Sequence, residues 1–241
     1  MKRERRALAS SGAVAQIVAR PVLNARRFGG SMPHKVYRFF KEPSHADALS
    51  SGIVWLSTLE TCRAYEDPYQ GDPDEAVHVY NSGHAVGGSG DAAFELIAER
   101  SGIHIGPGCS NITVSNCTAI QKLPDAFVVC TTEQFRPEDL GDAFGRYCVE
   151  IEHPHQFFRL ITAELSKLHA VREAAFGRVN YRERKFSGLQ DPPGPIGFVK
   201  PPDKYESQHE FRFLWLLHTA DRLTPFALYA PECAALCNRI A

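Results

Sequence analysis

The stretch that most constrains what this chain can fold into is Tyr205-Glu206-Ser207-Gln208-His209-Glu210-Phe211-Arg212-Phe213-Leu214-Trp215-Leu216. Read as a strand, it alternates: Glu206, Gln208, Glu210 and Arg212 share one face, and Phe211, Phe213 and Trp215 share the other. The aromatic face demands a core to bury it. The charged face is either a solvated sheet surface or the wall of a polar cleft, and both remain open at this point.

The chain around it has 241 residues, 44% hydrophobic and 23% charged, which suffices for one substantial core. One domain is expected over residues 32–241. The total charge of −1 conceals an uneven distribution, because Lys2, Arg3, Arg5, Arg6, Arg20, Arg26 and Arg27 face only Glu4 within residues 1–31. That gives the head a net +6 and leaves −7 for the rest. An acidic body argues against broad nonspecific nucleic-acid binding by the fold itself. The head, residues 1–31, is expected to be a disordered basic segment. Met32, the only other methionine, precedes the first strand, and translation is expected to begin there.

No uncharged apolar run approaches the roughly 18 residues of a membrane span, so no membrane association is expected. The seven cysteines form an odd set without a C-x-x-C pair. Cys233 and Cys237 stand four apart with no further ligands at zinc spacing, so no metal is expected. Unpaired, largely apolar cysteines fit a reducing cytoplasm.

Taken in order, Val36 to Phe40 reads as a first strand, His45 to Ser50 as a short helix ended by Gly52, and Ile53 to Ser57 as a second strand. Residues 61–75 contain two Asp-Pro pairs and read as a solvated acidic loop. Asn81 to Gly90 reads as a flexible loop without a phosphate-cradling glycine pattern. Asp91 caps a helix through Phe94, Ile97 and Ala98. Strands follow at Asn111 to Ile120, Phe127 to Thr131 and Arg146 to Glu152. The spacing of Phe157, Phe158, Ile161, Leu165, Leu168 and Val171 predicts the longest helix. Val179 to Arg182 is a further strand, Pro225 to Tyr229 is expected to pair with the focal strand as a hairpin, and Pro231 opens a final helix. The fold class is α+β: a central, mostly antiparallel sheet with packed helices.

The succession Val36-Tyr37-Arg38, Trp55-Leu56-Ser57-Thr58-Leu59 with Glu66-Asp67-Pro68-Tyr69, Val128-Val129-Cys130-Thr131, Gly145 to Ile151, and Tyr205-Glu206 through Glu210-Phe211-Arg212 resembles a large family of uncharacterised bacterial and phage proteins. The likeness covers most of residues 32–217. Two departures are Glu66-Asp67-Pro68-Tyr69 in place of Asn-Asp-Pro-Phe, and the absence of a Met-Trp around Asp139 to Gly145. A second resemblance, to ADP-ribosyltransferases of the arginine-serine-glutamate group, lies in the order Arg38, Ser57-Thr58, Gln208-His209-Glu210. It implies NAD as substrate and a macromolecular acceptor, protein or nucleic acid. Glu210, Arg38 and Ser57 would be catalytic, and Tyr37, Arg38, Ser57, Thr58 and Gln208 would contact NAD. A carboxylate at Glu210 would stabilise the oxocarbenium charge that builds on the ribose as the nicotinamide bond breaks. Two alternatives stand beside it. One is a noncatalytic nucleotide- or protein-binding module of bacterial defence or prophage context. The other is a metal-dependent nuclease using Glu66, Asp67 and Asp72.

Overall fold

The computed structural model describes residues 25–28, 31–67, 71–135, 144–219 and 221–241. Strands β1 (Ala25–Phe28) and β2 (Lys35–Phe40) precede α1 (Pro43–Ser50), β3 (Ile53–Thr58) and α2 (Leu59–Ala64). An excursion follows, formed by β4 (Val77–Asn81), β5 (His84–Gly87), α3 (Ala92–Arg100), β6 (Ile112–Ser115) and β7 (Thr118–Lys122). The chain returns through β8 (Phe127–Thr132) and β9 (Tyr147–Glu152) to α4 (Pro154–Leu168) and β10 (Val171–Arg178). Short strands β11 (Asn180–Tyr181), β12 (Lys185–Ser187) and β13 (Val199–Lys200) lead to α5 (Pro202–Tyr205). The chain ends with β14 (Glu210–Leu217), β15 (Phe226–Tyr229) and β16 (Cys237–Arg239).

The main sheet is mixed but mostly antiparallel, in the order β1-β10-β14-β8-β2-β9-β16, with β3 joined to β8 and β15 to β3. β14 sits between β10 and β8, and all eight of its residues are buried. Its aromatic face carries the larger core: Phe211, Phe213 and Trp215 pack with Phe157, Phe158, Ile161 and Leu165 of α4. Those helix positions recur at spacings of three and four, which turns one stripe of α4 onto the sheet. Trp215 is fully buried, and its indole N–H donates to Thr162 Oγ1 at 2.8 Å, so no polar atom of the ring is stranded. Each such side chain contributes about 1.5–3 kcal/mol by leaving water. The opposite face of β14 is divided. Leu214 and Leu216 join a smaller core with Leu59, Val128 and Phe198, while Glu210 and Arg212 occupy the other end.

Several expectations change. The strand predicted from Tyr205 begins only at Glu210, because Pro202 at the first helical position starts α5 and a 3-10 turn over Glu206–Gln208 continues it. Glu206 and Gln208 therefore do not share a strand face with Glu210. Residues 61–64 belong to α2, and residues 84–87 form a strand paired with β6. β15 pairs with β3, not with the focal strand. The last segment is a 3-10 turn followed by β16. Within the basic head, Ala25–Phe28 forms β1, parallel to β10; residues 1–24, 29 and 30 lie outside the described residues. Among the described residues no helix is long and apolar enough to cross a membrane.

β1 docks where β10 carries Gly177 at φ 156°, and a Cβ there would sit 2.0 Å from the Phe28 carbonyl oxygen. Gly177→Ala is therefore expected to lower unfolding stability by more than about 1 kcal/mol. In hydrogen exchange of the full chain, β1 amides should lose protection first.

Candidate functional site

The central strand β8 has two different edges. Along one it runs beside β14, with Glu210 opposite Thr132 and Arg212 opposite Cys130. Along the other it meets two strands in turn: β2 at Tyr37 opposite Thr132, and β3 at Ser57 opposite Val128. β2 pairs with β9 along its other edge and β3 carries β15, so β2 and β3 stand beside β8 as the two arms of a fork, each with its own further neighbour. Val128, Cys130, Thr131 and Thr132 of β8 line the gap between them. A cavity of about 220 Å3 occupies it.

Arg38, Ser57 and Glu210, separated by up to 172 positions in the sequence, all line this cavity, as do Tyr37 and Gln208. Thr58 does not line it. It is fully buried and spends its hydroxyl on capping α2, accepting from Thr61 N at 3.1 Å. Gln208 reaches the cavity from the 3-10 turn rather than from a strand, and His209, in the left-handed conformation at φ 42°, makes the corner into β14. An Arg38–Glu210 ion pair is not formed. Both Nη atoms of Arg38 donate to the Trp55 carbonyl at 3.2 Å, and the guanidinium lies 5.4 Å from the Phe40 ring centre. Among the described residues no carboxylate pairs with Arg38.

Glu210 is instead held by a buried array. Arg212 Nε donates to Glu210 Oε1 at 2.7 Å, while its Nη atoms grip Glu75 at 2.7 and 3.1 Å. Lys200 Nζ stands 2.8 Å from Glu210 Oε2 and 3.7 Å from Glu75 Oε2. Arg184 clasps Asp72 with two hydrogen bonds and reaches Glu75 at 3.9 Å. Three carboxylates thus meet three cations, all at 6% exposure or less. Burial alone would raise the Glu210 pKa, but the Arg212 and Lys200 charges more than reverse this, and the carboxyl is held well below its usual range. Burial likewise opposes the charge on Lys200, and Glu210 with Glu75 overcomes it.

The Lys200 ammonium contacts Glu210 Oε2 without hydrogen-bond alignment. That oxygen is buried and accepts no aligned hydrogen bond among the described residues, while Glu210 as a residue belongs to the cavity lining. Cys130 is open to solvent within the gap yet hemmed in by its walls, and burial pushes its thiol well above the ordinary value. Cys62, also on the wall, is pushed up to about 11 by burial and by Glu75. Neither thiol is an activated nucleophile.

Glu75, Lys200, Arg212, Cys62 and Cys130 also line the cavity and were not among the candidate site residues from sequence. Asp72 and Glu75 belong to the stretch expected to be a solvated acidic loop, yet they are 3% and 1% exposed. The signal available was a lone Lys200 inside the apolar run Phe198-Val199, which implies a buried partner. Asp72 is committed to Arg184, which removes it from the nuclease reading. Among the described residues no three metal-ligating side chains come together. Pro68, Tyr69 and Asp139 lie outside the described residues.

Comparison of the chain with protein-family models, curated proteins and solved structures yields no match.

Removing one member of this array strands the others. Arg212→Met is expected to cost about 3–5 kcal/mol in urea unfolding by taking the guanidinium from Glu75 and Glu210 and leaving Lys200 to face both. The pH dependence follows from the depressed Glu210 value. The stability its ionisation supplies is fully present above its ordinary pKa of 4.5 and is lost only as pH falls through the lower folded value. Stability profiles between pH 5 and 8, the band spanning about neutral, should show no step from this group.

Proposed function

We propose that the fork receives the nicotinamide-riboside end of NAD, and that the protein transfers ADP-ribose to a macromolecular acceptor. The observation that carries this reading is the shared lining: Glu210, an ionised and buried carboxylate, lines one cavity with Arg38 and Ser57. A ribose hydroxyl is a donor that a carboxylate accepts from. In the transfer, the bond between the nicotinamide nitrogen and ribose C1′ breaks, and its electron pair leaves with nicotinamide. The acceptor forms a new bond to C1′ and releases its proton to solvent. Glu210 is held too acidic to take that proton at neutral pH, so its part is electrostatic: it stabilises the positive ribose. Ser57 would orient the carboxamide, and Arg38 would hold a phosphate through N–H donors that Trp55 does not use. The described cysteines are all free thiols, which fits the cytoplasmic setting in which NAD is plentiful.

A second reading has its own support. The charge of Glu210 is already matched by Arg212 and Lys200, which weakens its pull on a developing cation and suits a module that binds a nucleotide without turnover.

Incubation of the protein with NAD labelled on the adenylate, with cell extract as acceptor source, separates the two. Release of nicotinamide and transfer of label are expected, with Glu210→Gln reducing both by about 10²–10³-fold. Binding of NAD without any Glu210-dependent release would establish the second reading, and failure to bind NAD at all would remove both.

A further inference from the structure

The fork cavity is smaller than the roughly 300 Å3 at which small-molecule sites ordinarily begin, but it is not closed off. Beyond Arg38 lies a groove of about 840 Å3, and Arg38, Phe39, Tyr65 and Phe144 line both spaces. One face of β3 runs from the first into the second. Ser57 faces the cavity; Trp55, two residues back on the same face and so about 7 Å away, lines the groove. Trp55 is 51% exposed, whereas Trp215, the other tryptophan of the chain, is fully buried. A half-bare indole on a concave wall is a platform for a flat ring.

The charges beside it complete the pattern. A guanidinium has five N–H donors, and Arg38 directs one from each Nη atom to the Trp55 carbonyl. Lys41 adds a second cation to the groove, against the single exposed carboxylate of Glu42. The groove therefore presents an aromatic surface and an excess of positive charge, with the uncommitted donors of Arg38 at its junction with the fork.

We propose that this groove is a nucleotide subsite, taking the base of a purine nucleoside diphosphate against Trp55 and its diphosphate at Arg38 and Lys41. It rests on the NAD reading for its biological ligand, since NAD contains an adenosine diphosphate half. The binding itself requires no turnover. The volume of the groove accommodates a base with its ribose and diphosphate, and the cations suit a diphosphate, which a free base or an apolar peptide would leave unmatched.

The test uses the full chain and ADP. Because Trp215 is sealed in the core, emission changes on adding ADP report Trp55. Saturable quenching is expected, absent in Trp55→Phe. By calorimetry, Trp55→Ala should weaken ADP binding about 5- to 150-fold, and Lys41→Met should weaken it and flatten its salt dependence. Trp55 is half exposed, so thermal melts of these variants should match the parent. Pyrophosphate binding as tightly as ADP would overturn the stacking role, as would ADP binding unaffected by Trp55→Ala. A change in Trp55 emission that follows protein concentration instead of ADP would assign the groove to a second copy of the chain. If ADP does not bind but Glu210-dependent nicotinamide release persists, the subsite fails and the transferase reading stands. If ADP binds and NAD is not cleaved, the reverse holds.

Discussion

The feature on which the rest depends is the buried meeting of Asp72, Glu75 and Glu210 with Arg184, Lys200 and Arg212. A lone ion in a protein interior costs several kcal/mol, so none of the six can be placed without the others. Their positions tie the loop after α2 to the segment after β11, to β13 and to the first half of β14. Such arrays often exchange for apolar residues with little loss of stability, so net stability does not explain why charges stand here. Access does: Glu75, Lys200, Glu210 and Arg212 all line the fork cavity, whereas the continuation of the same β14 face, Leu214 and Leu216, is apolar and sealed.

That placement sets the electrostatics of the gap. Each carboxylate of the array is offset by a cation, and Arg38 stands outside the account as a positive charge without a carboxylate among the described residues. The lining as a whole is therefore biased toward an anion, although the chain from residue 32 onward is acidic. A sum over sequence could not show this, because it is a property of which charges cancel locally. The same array lowers the Glu210 pKa and so favours its ionised form, which suits a fixed charge better than a proton-transfer group.

Much of the scaffold was legible in the residues. The Asp91 cap, the Phe94, Ile97, Ala98 stripe and the α4 stripe from Phe157 to Leu165 have the spacing that the helices use. The strands β2, β3, β8 and β9 follow from runs of β-branched and aromatic residues. Arg38, Ser57 and Glu210, singled out by resemblance, line one cavity. What was not legible depends on distant partners. Asp72 looks solvated until Arg184, 112 residues on, is seen to clasp it, and Glu75 until Arg212, 137 residues on, does the same. The pairing of β15 with β3 is likewise set by a contact that no local pattern encodes. Thr58 is absent from the lining, and Gln208 reaches it from a turn instead of a strand, each for a local reason. Helix starts at Leu59 and Pro202 claim the neighbouring backbone, one by using the Thr58 hydroxyl, the other by converting three strand positions into a turn.

Arg38 joins the two halves of the argument. A guanidinium on β2 that bonds the Trp55 carbonyl on β3 links the arms of the fork, whose ladders among the described residues run to β8, β9 and β15 and not to each other. A charged side chain thus makes the connection that a strand ladder makes elsewhere in the sheet. The bridge does not exhaust the side chain. Only one N–H of each Nη atom goes to the carbonyl, and a guanidinium has five N–H donors. An anion between cavity and groove therefore meets the remaining donors while the link between the arms is kept, so the group that ties β2 to β3 is also the one that offers positive charge to both spaces.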